Sequence, residues 1–77
     1  MAQSLRLLHS PTTLRPSSLA YLRRRSTEQI VASLHPGSAD PLIVRADGTI
    51  MSGNTRVYVL MERDYDVNSL PRTPYES

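Results

Sequence analysis

The chain contains no cysteine and no lysine, and its apolar runs are short. Without cysteine there are no disulfides, no thiolate nucleophile and no thiolate-ligated metal. Two histidines, His9 and His35, do not make a zinc site unless carboxylates join them. No apolar run approaches the roughly 20 residues needed to cross a bilayer. Met1 to Leu8 carries Arg6 inside a short apolar stretch and lacks the charged lead and full apolar segment of a secretory signal. The expectation is a cytoplasmic chain with no membrane partner.

What remains is 77 residues, which is room for one domain with one small core. A domain this size buries only about 60% of the surface its unfolded chain exposes, so its stability is marginal and a partner would add to it. The net charge is +2, and every positive charge is arginine. The planar arginine fork suits phosphate and carboxylate, although codon bias in a GC-rich genome produces the same composition. The charge is modest beside the dense basic patches of strong nucleic-acid binders.

Leu5 to Leu8 reads as a short first strand, and Ser10 to Ser18, with Pro11 and Pro16, as an extended connector. Leu19 to Leu34 is helical in pattern, with Leu19, Leu22, Ile30 and Leu34 on one face. Its start is open between Ser18 and Ser26, the latter forming a capping box with Gln29. His35-Pro36-Gly37 ends it. Pro41 to Arg45 is a compact strand, and Asp47-Gly48 reads as a two-residue hairpin turn with φ > 0 at both residues. Ile50 and Met51 begin the return strand, and Ser52-Gly53-Asn54 breaks it. Thr55 to Arg63 is helical, with Val57, Leu60 and Met61 on one face. Tyr65, Val67 and Leu70 suggest a short final extended piece, and Arg72 to Ser77 a fraying tail.

The candidate site is Gly53-Asn54-Thr55-Arg56, a glycine between a strand and a helix. Glycine lets backbone approach a ligand closely. The first N–H groups of a helix lack internal partners and attract anions. Arg56 in the first turn would add a charge-assisted contact, with Asn54 and Thr55 lining the turn. On the structural reading, Ser52 or Asn54 merely caps the helix and Arg56 is a solvated surface residue, whose loss the fold survives.

Residues Thr27 to Pro71 resemble the ParB/sulfiredoxin superfamily. The matching stretches are Thr27 to Leu34, Pro41 to Val44 and Asp47 to Arg56, followed in order by the helix Val57 to Arg63 and by Val67 to Pro71. Leu14-Arg15-Pro16 matches the leucine-x-proline found before the helix in that family. The resemblance implies that Gly53 and Arg56 bind nucleotide phosphates, with Asn54 and Thr55 beside them and magnesium accompanying the nucleotide. The departures are specific. Sulfiredoxins carry their catalytic cysteine where this chain has Asn54. ParB clamps usually carry a metal-holding glutamate there, and neutral Asn54 ligates magnesium poorly. The family's small-molecule kinases show acidic and histidine residues around the turn, replaced here by Ser52, Asn54 and Thr55. The helix-turn-helix and dimerisation regions of full ParB proteins have no counterpart, so chromosome partition by these 77 residues alone is not expected.

Elsewhere, Arg23-Arg24-Arg25 would contact a nucleic-acid backbone or an acidic protein, or form an exposed face. Glu62, Asp64 and Asp66 would hold a metal or basic partner, or form a solvated helix end. Tyr58 and Tyr65 would stack on a base or sit half-buried in the core. His35 would support a helix C-terminus, and His9 has no evident route to Arg56. The expected fold is a small α+β domain in the ParB/sulfiredoxin-like manner, with a short mixed sheet, a β-hairpin and two helices. Residues 1–18 form a strand and proline-rich connector, 19–71 the core and 72–77 a flexible tail. The expected function is binding of a nucleotide or other phosphate-bearing ligand at Gly53 to Arg56, DNA-associated or not, without catalysis. The alternative is an interaction module, such as an antitoxin-like or accessory subunit, that uses the fold as a scaffold.

Overall fold

The computed structural model describes residues 4–8 and 10–76. Three α-helices pack with a three-stranded mixed sheet, in the order α1 (Pro16–Arg23), α2 (Thr27–Leu34), β1 (Ile43–Val44), β2 (Ile50–Ser52), α3 (Asn54–Glu62) and β3 (Thr73–Pro74). The α+β class and the hairpin match the sequence expectation, but there are three helices rather than two. Single 3-10 turns precede α1, at Pro11–Thr13, and connect α3 to β3, at Val67–Ser69.

The helical stretch expected from Leu19 to Leu34 is two helices. Ser26 has extended backbone, its hydroxyl accepts from the Gln29 N–H and its N–H donates to the Gln29 side chain, which completes the capping box. That reciprocal pair starts α2 and ends the preceding helix. α1 in turn begins at Pro16, inside the expected connector, because proline at N1 has the helical φ and gives up only a donor that had no partner. α2 stops at His35, which Pro36 holds in the extended region.

The hairpin forms, but not with a two-residue loop. The Gly48 N–H donates to the Arg45 carbonyl and the Arg45 N–H to the Thr49 carbonyl, each at 2.9 Å. Only Gly48 has positive φ in this loop; Asp47 does not. The loop is therefore Ala46-Asp47-Gly48, a turn closed by a left-handed glycine. The Asp47 carboxylate accepts from the Thr49 N–H at 2.9 Å, which suits a negative φ at Asp47. β1 and β2 pair antiparallel, Ile43 with Ser52 and Val44 with Ile50, so Met51 is the extra residue of a bulge.

Two end segments differ from expectation. The tail is not loose through Tyr75: β3 runs parallel to β1, with the Thr73 N–H donating to Leu42 and the Tyr75 N–H to Val44. Pro74 lies between these donors on the edge, where a missing N–H costs nothing. The first strand shrinks to one parallel bridge, Arg6 to Thr49. Beside it, side-chain amide oxygens take the backbone donors: Leu5 N–H bonds Asn68 and Leu8 N–H bonds Asn54, both at 2.8 Å.

The core is aliphatic. Leu5, Ile30, Leu34, Leu42, Val44, Ile50, Val57, Val59, Leu60, Val67 and Leu70 are buried, and among the described residues no polar side chain joins them. The expected α3 face is shifted: Val57 and Leu60 are buried, Met61 only partly, and Val59 fully. Val67 and Leu70 reach the core from a 3-10 turn instead of an extended piece. Among the described residues no helix is long and apolar enough to cross a membrane.

α3 ends in a Schellman motif. Asp64 N–H donates to Met61 and Tyr65 N–H to Leu60, with Asp64 at φ 57 where glycine is the preferred residue. Asp64→Gly is expected to stabilise the fold by about 0.5–1 kcal/mol, the left-handed penalty of about 1–2 kcal/mol less glycine's extra entropy loss. A thermal melt checks it through a rise of a few degrees, and an unchanged or lower midpoint contradicts it. α1 is clasped to α3 by Arg23, whose Nε and guanidinium nitrogen bind both Glu62 oxygens at 3.0 and 2.7 Å. The Arg23 hydrogen bond holds the Glu62 carboxyl below its ordinary value. A lowered carboxyl stabilises above its unfolded-chain value, and the benefit disappears as pH falls through the folded one. Glu62→Gln is accordingly expected to be less stable than wild type at neutral pH and to converge with it in acid, in denaturation curves taken across pH.

Candidate functional site

Gly53 lies between β2 and α3 with φ 105, the left-handed region. A Cβ there would sit 3.1 Å from Leu34 Cδ2, 3.3 Å from Leu42 Cδ1 and 3.5 Å from an Arg56 nitrogen. Both conformation and packing thus require glycine. The space left by its missing side chain is taken by core leucines and by Arg56.

Arg56 is not the exposed residue expected from its place in a first turn. Its side chain is 13% exposed. One guanidinium nitrogen, Nη1, donates to the Ser33 carbonyl (3.0 Å), the Ser33 hydroxyl (3.2 Å) and the Asp40 carbonyl (2.8 Å). The other, Nη2, stands 3.4 Å from the Asp40 carboxylate. Burial lowers the arginine's pKa, and Asp40 opposes that shift. The residue ties the end of α2 and the following loop to the head of α3. It spans 23 residues to Ser33, so no local pattern signals it.

Asn54 is also engaged. Its amide oxygen accepts from Leu8 N–H and its nitrogen donates to the Ile50 carbonyl at 3.0 Å. The first intrahelical bond of α3 runs from Val57 N–H to Gly53, and no side chain caps the helix. The N–H groups of Asn54, Thr55 and Arg56 therefore have no acceptor among the described residues. α1 repeats the situation: its first bond is Leu19 N–H to Arg15, with no side-chain cap, which leaves the Ser17 and Ser18 N–H groups in the same position.

These two helix starts meet. A cleft of about 450 Å3 is lined by Ser17, Ser18, Tyr21, Leu22, Asp40, Gly53, Asn54, Thr55 and Arg56. All four expected site residues line it, and among the described residues neither Tyr65 nor residues 72–76 belong to its lining. The chemistry differs from expectation, because the side chains of Asn54 and Arg56 already serve the fold. Of the lining residues, Ser17, Ser18 and Thr55 carry hydroxyls, and with Asn54 and Arg56 they carry the N–H groups left without an intrahelical acceptor. Proline at N1 followed by two serines was the legible signal for α1's part. Asp40 and Tyr21 carried none. A second cleft, about 400 Å3, shares Tyr21, Leu22, Asp40 and Arg56 and extends to Arg25, Gln29, Ile30 and Ser33.

The arginine run is exposed throughout but divided. Arg23 binds Glu62, Arg25 lies over the Tyr21 ring at 4.9 Å from its centroid and bonds its hydroxyl, and Arg24 makes no such contact. The three do not form one patch. Of the acids, Glu62 is paired, Asp64 terminates α3 and Asp66 leads into the last turn. Among the described residues no three His, Asp or Glu side chains gather as a metal site. Magnesium implied by the resemblance would meet one carboxylate in the cleft, Asp40, already beside Arg56, and those residues do not fit a magnesium site. Tyr58 and Tyr65 are half-buried and line neither cleft. His35 ends α2 and is exposed, and His9 lies outside the described residues.

Arg63 was not singled out by the sequence. It donates to the Arg23 and Arg25 carbonyls, to the Thr27 hydroxyl and, at 3.4 Å, to the Leu22 carbonyl, which also accepts from the Arg25 N–H.

Comparison with known proteins found no match among family models, curated proteins or solved structures.

Arg56→Ala is expected to destabilise the fold by about 1–3 kcal/mol, the cost of leaving partly buried acceptors unpaired. Gly53→Ala is expected to be comparably costly, through its left-handed φ and the tight leucine contacts. Arg24→Ala should stay within about 0.5 kcal/mol of wild type. Urea denaturation of the three variants checks the ranking, and an Arg56→Ala protein as stable as Arg24→Ala would contradict it.

Proposed function

We propose that the cleft between the starts of α1 and α3 binds a phosphate-bearing ligand, and that it does so as a binding site rather than a catalytic one. One observation carries the reading: two uncapped helix N-termini line the same cleft, at Ser17-Ser18 and at Asn54-Thr55-Arg56. Each presents N–H groups without internal partners, at the positive end of its helix dipole. An anion with several oxygens satisfies donors from both helices at once, and the three hydroxyls add to it. Phosphate fits better than carboxylate, because its oxygens point in more directions. Arg56 contributes through charge and through Nη2, while Nη1 holds the fold.

This reading agrees with the ParB/sulfiredoxin resemblance in location, and a nucleotide is the ligand that resemblance implies. Hydrolysis has no support, since the cleft lining among the described residues holds a single carboxylate and no histidine. Nucleic acid is less favoured, because Arg23 and Arg25 are paired within the chain. The interaction-module alternative predicts a cleft that takes no small anion.

The test is a calorimetric titration with pyrophosphate and with nucleoside triphosphates, using wild type and Ser17→Glu. Ser17 is exposed in the first turn of α1, where a glutamate favours the helix while placing negative charge at the cleft. The expected result is binding by wild type, at least tenfold weaker in Ser17→Glu, with thermal stability unchanged or raised. Absence of binding in wild type would put the interaction module in front.

A further inference from the structure

The cleft holds one acidic side chain, and its position is specific. Asp40 lines both clefts, and its side chain is 75% exposed. Its carboxylate meets Arg56 Nη2 at 3.4 Å, beyond a good charge-assisted hydrogen bond, and the Ser52 hydroxyl at 3.2 Å. The contacts of Arg56 are unequal. Nη1 is saturated by the Ser33 carbonyl, the Ser33 hydroxyl and the Asp40 carbonyl, all within 3.2 Å, whereas among the described residues Nη2 has only the long contact to the carboxylate. Nη2 also lies 3.5 Å from where a Cβ on Gly53 would stand, close against the glycine. The arginine thus has one fixed edge and one edge covered by an exposed, loosely held anion.

Resting on the reading of the cleft as a phosphate site, we infer that the Asp40 carboxylate is an internal competitor that occupies the Arg56 edge a ligand phosphate uses. A bound phosphate displaces the carboxylate from Nη2, and the carboxylate turns out to solvent on a loop whose backbone stays in place. The Asp40 carbonyl remains bonded to Nη1 throughout, so exchange of the side chain does not loosen the fold. The consequence is selectivity. Singly charged anions do not outcompete a tethered carboxylate, whereas a ligand with several negative charges does, through the amides of both helices together with Nη2. The pair is exposed on one side and weakly held, so the cost of displacement is modest.

Asp40→Asn keeps the side-chain size, an acceptor for the Ser52 hydroxyl and the backbone carbonyl, and removes only the competing charge. Asp66→Asn, at an exposed acid remote from the cleft lining, removes the same net charge as a control. Titration of all three proteins with pyrophosphate and with inorganic phosphate at constant ionic strength is the experiment. Asp40→Asn is expected to bind pyrophosphate on the order of fivefold tighter than wild type. Its gain for inorganic phosphate should be larger, so that the preference for pyrophosphate narrows, and Asp66→Asn should match wild type. Equal affinities in Asp40→Asn and wild type, with both binding, would overturn the competitor role and leave the cleft reading standing. Equal gains in Asp40→Asn and Asp66→Asn would overturn it too, as an effect of net charge. No binding by any of the three would overturn the cleft reading and this inference with it.

Discussion

The guanidinium of Arg56 joins three parts of the chain that are distant in sequence. From the first turn of α3 it reaches the last turn of α2 at Ser33 and the loop carbonyl of Asp40, and it lies against Gly53. Much else depends on that placement. Gly53 lacks a side chain because Leu34, Leu42 and Arg56 use the space where one would stand. Asp40 sits at the cleft because its carbonyl is bonded to the arginine. α3 begins where it does because the chain turns through a left-handed residue, Gly53, that lies against the arginine. A half-buried arginine needs acceptors, and here two backbone carbonyls and a hydroxyl hold Nη1 without burying a second charge.

The second arginine staple, Arg63, acts at the opposite end of α3. It gathers carbonyls from the end of α1 and the turn into α2. Between them the two arginines fix both ends of α3 against α1 and α2, around a core made only of leucine, isoleucine and valine. In so small a domain the apolar burial is limited. Directional bonds from long side chains therefore carry part of the task of setting helix positions. One result is that the N-termini of α1 and α3 are held at a common cleft with their amides uncapped. Helix starts usually find a side-chain oxygen to satisfy them. Two that lack one, side by side, give this face its chemical character.

Some of this was legible along the chain. Ser26 and Gln29 spell out a capping box three residues apart, and the structure uses both halves of it. His35-Pro36 ends α2, because proline restricts the residue before it. Asp47-Gly48 marked a hairpin correctly but its loop wrongly. The pair occurs both in two-residue turns and in three-residue loops closed by a left-handed glycine, and the register that separates them lies in the partner strand. Pro16 was read as a breaker when it opens a helix, since the same fixed φ serves both roles. The tail at Arg72 to Tyr75 had no strand signal, because an edge strand held by β1 needs only two donors and tolerates Pro74 between them.

The sequence by itself determined the local events: where α2 is capped and stopped, where the hairpin lies, that no thiol chemistry exists, and that Gly53 marks the strand-to-helix junction. These follow from residues within about four positions of one another, the range over which backbone and capping preferences act. Only the tertiary structure decided what Arg56 does. The same residue type in a first helical turn serves as a solvated charge, a ligand contact or a buried staple, and the choice rests on Ser33 and Asp40, 23 and 16 residues away. The cleft was decided in the same way: Ser17 and Thr55 are far apart along the chain, and only the packing of α1 on α3 brings their unpaired amides to one place.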